Sequence, residues 1–358
     1  MLLPTLPLYV KGLGGSKQEI GLIIGAFAAS ALIGRLPVGW LLDKKGSTKG
    51  LIVAGTVIFL VSSILYNFAT SVPAILAIRL LHGAGMAACN TSASTLVAHI
   101  TPPNRRGEAM GVFGMAANMS MALGPFLGIW LLQATNFHTL FIASAVLALI
   151  GVLLALPLKD HPGANRVPQA SSGRMLVIKR ALFPSSIIFC TTLTYGVIVS
   201  FVAIFTDERK LGNAGSFFLV YAVALAISRT PAGRISDKYG RGVVIVPGMA
   251  MLAGAMLTLA GTHSLETLMA SAAVYGIGSA CVHSPLMALA VDGVDLHDRG
   301  LAMGAFTAAW ELGISSGSVV FGYVWAVAGF EAMFATAAGA AAVGGVVFLI
   351  GTRNRQHL

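Results

Sequence analysis

Charge is what this chain has least of. Asp, Glu, Lys and Arg make up 10% of its 358 residues, where a soluble domain carries about a quarter. That shortage excludes an ordinary water-facing surface. Cysteine is scarce too. Cys89, Cys190 and Cys281 sit in apolar segments without a metal-like spacing such as C-x-x-C, which leaves core packing. A cleavable signal peptide is also missing. "MLLPTLPLYV" at the start is too short for a signal core with flanks and too short to span a bilayer. Catalytic constellations are lacking as well: there is no nucleophile–base set and no metal-ligand spacing. "GLGGS", residues 12–16, lacks the lysine and flanking strand of a phosphate-binding loop. The sequence therefore supports neither catalytic residues nor a metal.

What the chain has in excess is apolar sequence, 56% hydrophobic residues with a mean hydropathy of +0.83. Apolar runs of about 20 residues recur, each long enough to cross about 30 Å of hydrocarbon as a helix. The expected spans are 1–10 (a fragment), 20–42, 49–68, 72–99, 107–133, 138–157, 181–204, 214–236, 242–262, 266–291, 300–326 and 329–351. "SKQE", Ser16 to Glu19, has capping-box spacing before the second of these. The fold class is all-α and polytopic, a membrane protein of about 11.5 spans. The net charge of +10 suggests nucleic acid until its location is considered. Of 23 Lys and Arg, sixteen fall in alternate loops and the C-terminal tail. That is the positive-inside pattern, which places those loops and the C-terminus in the cytoplasm and excludes a nucleic-acid partner.

The chain repeats itself. "GRLPVGWLLDKKG" (34–46) and "SRTPAGRISDKYG" (228–240) share Arg, Pro, Gly, Asp, Lys and Gly 194 positions apart. "RRGEAMG" (105–111) matches "DRGLAMG" (298–304), and "HGAGMA" (82–87) matches "YGIGSA" (275–280), both at offset 193. Two parallel copies imply two pseudo-symmetric six-helix bundles, 1–157 and 181–351, around a central site. Between them, 158–180 reads as a cytoplasmic linker, with 352–358 as a cytoplasmic tail. "RMLVIKRALF" within the linker either lies along the anionic inner leaflet or is simply basic.

These motifs resemble the major facilitator superfamily over essentially the whole length. "GWLLDKKGSTK" and "GRISDKYGRG" are similar to its loop signature G-x-L-a-D-R-x-G-R-R. "RLLHGAGMA" is similar to its fourth-span pattern, with His82 where glutamine is usual. "ALGPFLG" carries Gly124, Pro125 and Gly128 of a signature associated with antiporters. The resemblance implies the superfamily's fold of two bundles and a drug- or metabolite-exporting proton antiporter working by alternating access. Two departures stand out. The first span is only a fragment, so the reading frame is expected to extend upstream by about half a span. Ser47 also replaces a basic residue of the loop signature, although Arg241 keeps it in the second copy.

The resemblance further implies a pair of latches. Gly39, Asp43 and Gly46 would meet the start of the eleventh helix near Gly300. Gly233, Asp237, Gly240 and Arg241 would mirror them near Gly107. A carboxylate at a helix start meets unpaired N–H groups and the positive end of the dipole. Gly21, Gly25 and Ala29 fall at the small-residue spacing that lets helices approach. Gly124-Pro125 is expected to bend the fifth helix.

Residues within the spans carry the transport hypotheses. Glu311 is expected near the midplane, where a carboxylate is costly as an anion and disposed to take up a proton. Binding a cationic substrate group and staying neutral are its other readings. Arg79, His82, Gly83, Met86 and Asn90 form one stripe of the fourth helix. Arg79 is implicated in proton coupling by the resemblance, with interhelical hydrogen bonding as the plainer reading. Asn118, the repeat partner of Glu311, joins Trp310, His82, Asn90, His283 and Tyr195 as candidate cavity residues. Arg35 and Arg229 read as structural. The expectation is a proton-coupled exporter of a small organic molecule, monomeric in the bilayer, its energy drawn from the proton gradient without a cofactor. An uptake symporter for a sugar or organic anion is the alternative. A membrane sensor or embedded enzyme on the same fold is the alternative of another class.

Overall fold

The computed structural model describes residues 1–45, 47–102, 106–160, 174–292, 294 and 299–356. Every regular element among them is helical: α1 (Leu2–Gly12), α2 (Lys17–Lys45), α3 (Thr48–Leu65), α4 (Val72–Ile100), α5 (Arg106–Ala134), α6 (Phe137–Ala155), α7 (Arg174–Arg209), α8 (Ala214–Tyr239), α9 (Arg241–Ala260), α10 (Leu265–Val291) and α11 (Arg299–Gln356). A single 3-10 turn, Tyr66–Phe68, extends α3. α11 is two spans in one, broken at Gly329, whose φ of 82° places it in the left-handed region that glycine adopts without a Cβ clash. Nine helices among the described residues are long and apolar enough to cross a membrane. α1 is too short for that tally, α11 enters it once, and α5 contributes only a short apolar piece.

The expected span ends hold within a few residues, except around the linker. α7 begins at Arg174, so the last seven residues assigned to the linker are a continuous helical extension of the next span. Residues 161–173 lie outside the described residues. α11 likewise continues through Gln356, so most of the expected tail is helix.

The internal repeat reappears as packing. A Cβ added to Gly83 would lie 2.8 Å from Ser30 Cβ and 3.1 Å from Ala31 N on α2. A Cβ added to Gly276 would meet Ala224 Cβ at 2.8 Å and Leu225 N at 3.1 Å on α8. These contacts are equivalent under the sequence offset, so α2 crosses α4 as α8 crosses α10. Glycine is required at both crossings because the neighbouring backbone occupies the Cβ position.

α7 is the most enclosed helix and packs along α11, where Gly313 and Gly317 admit the α7 backbone at Phe189 and Leu193. α6 is peripheral, and Leu154, Ile227 and Val327 are about 70% exposed, as lipid-facing residues are when no water surrounds them. The expected bend signature on α5 lies within a continuous helix. Gly124 and Gly128 there lie against the backbone of Met1, so close approach of α1 is their observed use.

Ser47 acquires a positive role. It is the N-cap of α3, accepting from Gly50 N at 3.1 Å and donating to Asp160 Oδ2 at 2.8 Å. The Lys49 N–H donates to the other Asp160 oxygen at 2.9 Å. This contact at a helix start holds the Asp160 carboxyl below its ordinary range. A cap side chain is therefore what this position uses in place of a base.

Two tests follow from the packing. Gly317→Val should lower the melting temperature in detergent by an amount equivalent to about 1–3 kcal/mol of overpacking. Gly254→Ala, where a Cβ meets nothing within 4 Å, should leave it unchanged or slightly raised. For Asp160, a depressed native pKa means its contribution is present above the unfolded value and is lost as pH falls through the folded one. Wild type should therefore lose more stability than Asp160→Asn on acidification below pH about 4, the ordinary carboxylate range.

Candidate transport site between the two helix sets

α1–α6 and α7–α11 meet along three seams, α2 with α11, α5 with α8 and α1 with α7. The α2–α11 seam is made of small residues. Ser315 Oγ donates to Gly25 O at 3.0 Å, and a Cβ on Gly21 would lie 2.7 Å from Ser318 O. At the end facing away from the basic loops, Lys11 Nζ pairs with Asp207 at 3.0 Å and Glu208 at 3.3 Å. Lys17 Nζ stands 4.9 Å from the centroid of the Trp325 ring. At the other end, about 21 Å along α2 from Gly21, Arg35 Nη2 donates to Glu311 Oε2 at 2.5 Å. Among the described residues, the polar contacts between the two helix sets run from the non-basic side to mid-depth. The structure is closed on the side away from the basic loops.

The Arg35–Glu311 pair gives Glu311 a partner that the sequence did not assign to it. Arg35 reads from sequence as structural, yet it carries the counter-charge of Glu311. Arg79, expected to influence Glu311, lies elsewhere. It is 1% exposed, its Nε donates to Ile23 O at 3.2 Å, and its guanidinium lies 4.5 Å from the Phe27 ring centroid. Its Nη2 has no hydrogen-bond partner among the described residues. Depth on a helix is readable from sequence, whereas the face it turns to the other bundle depends on docking.

The candidate cavity residues separate in the same way. Tyr195, His283 and Trp310 come together around a cavity of about 40 Å³, joined by Tyr221, Tyr275 and Arg229. The His283 and Trp310 rings are 3.9 Å apart, and His283 is also stacked with Phe306 at 6.1 Å. Tyr195 OH donates to Met121 O at 3.1 Å, linking α7 to α5. Tyr275 OH and Thr194 Oγ1 are 2.9 Å apart. His82, by contrast, is packed among Phe27, Phe59 and Tyr66, away from this cavity. Asn90 is half-buried on α4. The side chain of Asn118 lies outside the described residues.

Sequence reasoning missed Tyr221 and Tyr275, although the repeat held a signal. They occupy the places of Phe27 and His82 in the first copy, and both ring pairs touch, at 5.8 and 5.3 Å. The second copy differs in having two hydroxyls there, beside the cavity.

The latch expectation meets its described residues in one place. Asp237 Oδ1 accepts from Arg241 Nη1 at 2.5 Å, and Arg241 Nε reaches Asp292 Oδ2 at 3.4 Å. Among the described residues the Asp237 carboxylate is thus engaged within its own helix set, through Arg241 to the end of α10; residues 103–105, before α5, lie outside the described residues. An i to i+4 guanidinium is the nearer partner. Gly240, at φ 97°, terminates α8, whereas a Cβ on Gly39 or Gly233 would meet nothing within 4 Å. The Asp43 side chain and Gly46 lie outside the described residues.

Buried small-residue seams, a charge pair between two related helix sets and a cavity lined by aromatic rings and an arginine define a polytopic membrane transporter. The comparisons agree. The Major Facilitator Superfamily profile matches residues 1–212 and 185–357, and the chain belongs to that family. It is 27% identical over 342 residues to an MFS-type transporter of Methanocaldococcus jannaschii, covering 92% of this chain and 88% of that one. It is 22% identical over 346 residues to the staphylopine export protein of Staphylococcus aureus, covering 92% and 86%. Its fold matches the crystal structure of a bacterial homologue of the human lysosomal transporter Spinster, in an inward-facing and occupied conformation. That match has a TM-score of 0.77 at 14% identity, covering 98% and 92% of the two chains. The chain is a transporter of a small molecule and not an enzyme.

A double-mutant cycle tests the central pair. Arg35→Met leaves a half-buried carboxylate uncompensated, so it should destabilise by on the order of 2 kcal/mol, between surface and fully buried values. Adding Glu311→Gln should recover much of that loss. Strictly additive effects on the melting temperature would show that the two side chains do not interact.

Proposed function

We propose that this transporter is a proton-coupled exporter that exchanges protons for a small organic molecule by alternating access. The observation that carries the reading is the Arg35–Glu311 pair at the inner end of the α2–α11 seam. While Glu311 is ionised, the pair holds α2 against α11. A proton on Glu311 removes that attraction, and a substrate competing for either member loosens it as well. Since either ligand releases the lock, the two move in alternation. The basic loops support a reading in which the open side and the C-terminus face the cytoplasm of a cell whose inner membrane holds the chain. The name of the staphylopine export protein supports outward direction, as does the antiporter signature around Pro125. The protein acts as a monomer, each copy having its own pair and cavity.

Proteoliposomes loaded with a pH-sensitive dye test this, using a panel of small organic acids, amines and neutral aromatics. A transported compound should drive protons in the direction opposite to its own movement. Glu311→Gln should reduce that proton flux at least tenfold. Equal flux in both proteins would remove Glu311 as the carrier, and co-directional flux would replace the exporter with an uptake symporter.

A further inference from the structure

Arg35 and Arg229 are equivalent under the internal repeat, yet their surroundings differ. Arg35 has Glu311 as its partner. Arg229 is half-buried on α8, lines the cavity, and makes no ion pair or hydrogen bond among the described residues. The remaining cavity residues supply no anion to meet it. Tyr195, Tyr221 and Tyr275 bring hydroxyls, while His283 and Trp310 bring ring faces. The nearby acid, Glu311, is already taken by Arg35 across the α2–α11 seam.

An uncompensated guanidinium within a membrane span is costly, and such residues mark ligand pathways. An anion is what would relieve it, and a carboxylate matches the planar fork of arginine in two parallel hydrogen bonds. The cavity of about 40 Å³ is roughly the room of three waters, enough for a carboxylate head group. The rings of Trp310 and His283, 3.9 Å apart, form an aromatic wall beside it, suited to a flat substituent on that head group.

We propose that this cavity is the recognition site for an aromatic carboxylate, with Arg229 holding the anion and Trp310 and His283 packing against the ring. The substrate class deepens the transporter reading and rests on it only in calling the ligand a substrate. Binding requires neither a proton gradient nor a direction of transport. A failed proton-flux experiment therefore leaves this proposal standing, and a failed binding experiment leaves that one standing.

Calorimetric titration of the purified protein in detergent with benzoate, benzamide, benzylammonium and acetate provides the test. Benzoate should bind saturably, at least tenfold more tightly than benzamide or acetate, and benzylammonium should not bind. Arg229→Gln should abolish the preference for benzoate over benzamide, while Arg229→Lys should keep it at reduced affinity. Trp310→Leu should narrow the gap between benzoate and acetate at least threefold. Melting temperatures within a few degrees of wild type identify folded variants. Failure of the wild type to bind benzoate overturns the proposal. So do equal binding of acid and amide, and an acid preference that survives in folded Arg229→Gln.

Discussion

A charge inside hydrocarbon must find a partner or be relieved by a ligand, and that constraint organises the structure. Most of the chain's few charges lie toward helix ends or in the loops. The exceptions sit where the two helix sets meet or within one set's core. Arg35 and Glu311 satisfy one another, and in doing so they close the inner end of a seam otherwise made from glycine and serine. The seam's weakness is as relevant as its strength. Small side chains bring helices together without interlocking them, so a single charged contact weighs heavily in whether they stay together.

The two helix sets are built differently from the boundary between them. Within each, backbone meets backbone at Gly83 and Gly276 in matching geometry, and α7 lies against α11 through Gly313 and Gly317. Between the sets, the polar ties among the described residues are a lysine with two acids, a lysine over a tryptophan ring, a serine hydroxyl, a tyrosine hydroxyl and the central pair. Such polar links exchange for water when a crevice opens, which core packing cannot do. Rigid halves and a soluble boundary are what rocking requires.

Local rules made much of this legible. Span ends follow from apolar length, and the repeat is visible because close backbone approach demands glycine at fixed positions. Glu311 stands out as a lone acid in an apolar helix. Its partner does not, since Arg35 is 276 positions away and nothing local says which face of α2 meets α11. The surroundings of Arg79 and His82 are hidden for the same reason: polar residues on a shared stripe can turn inward to Ile23, Phe27 and Phe59 as readily as toward a cavity. Tyr221 and Tyr275 escape notice because an aromatic in an apolar span reads as filler until its hydroxyl is placed. Ser47 looks like the loss of a signature residue until its bonds to Gly50 and Asp160 show a cap.

Gly329 joins the two limbs of α11 without any loop, its single left-handed residue making the whole turn. A junction of that kind has no slack. Adding or removing one residue there would rotate the following limb by about 100° about its own axis. With one residue added, Val343, now turned outward, would take the buried place of Gly344, and Phe334 and Ala341, now buried, would take the exposed places of Ala335 and Ala342. The last span is therefore phase-locked to the helix bearing Glu311, and the chain can vary the chemistry of this corner but not its length.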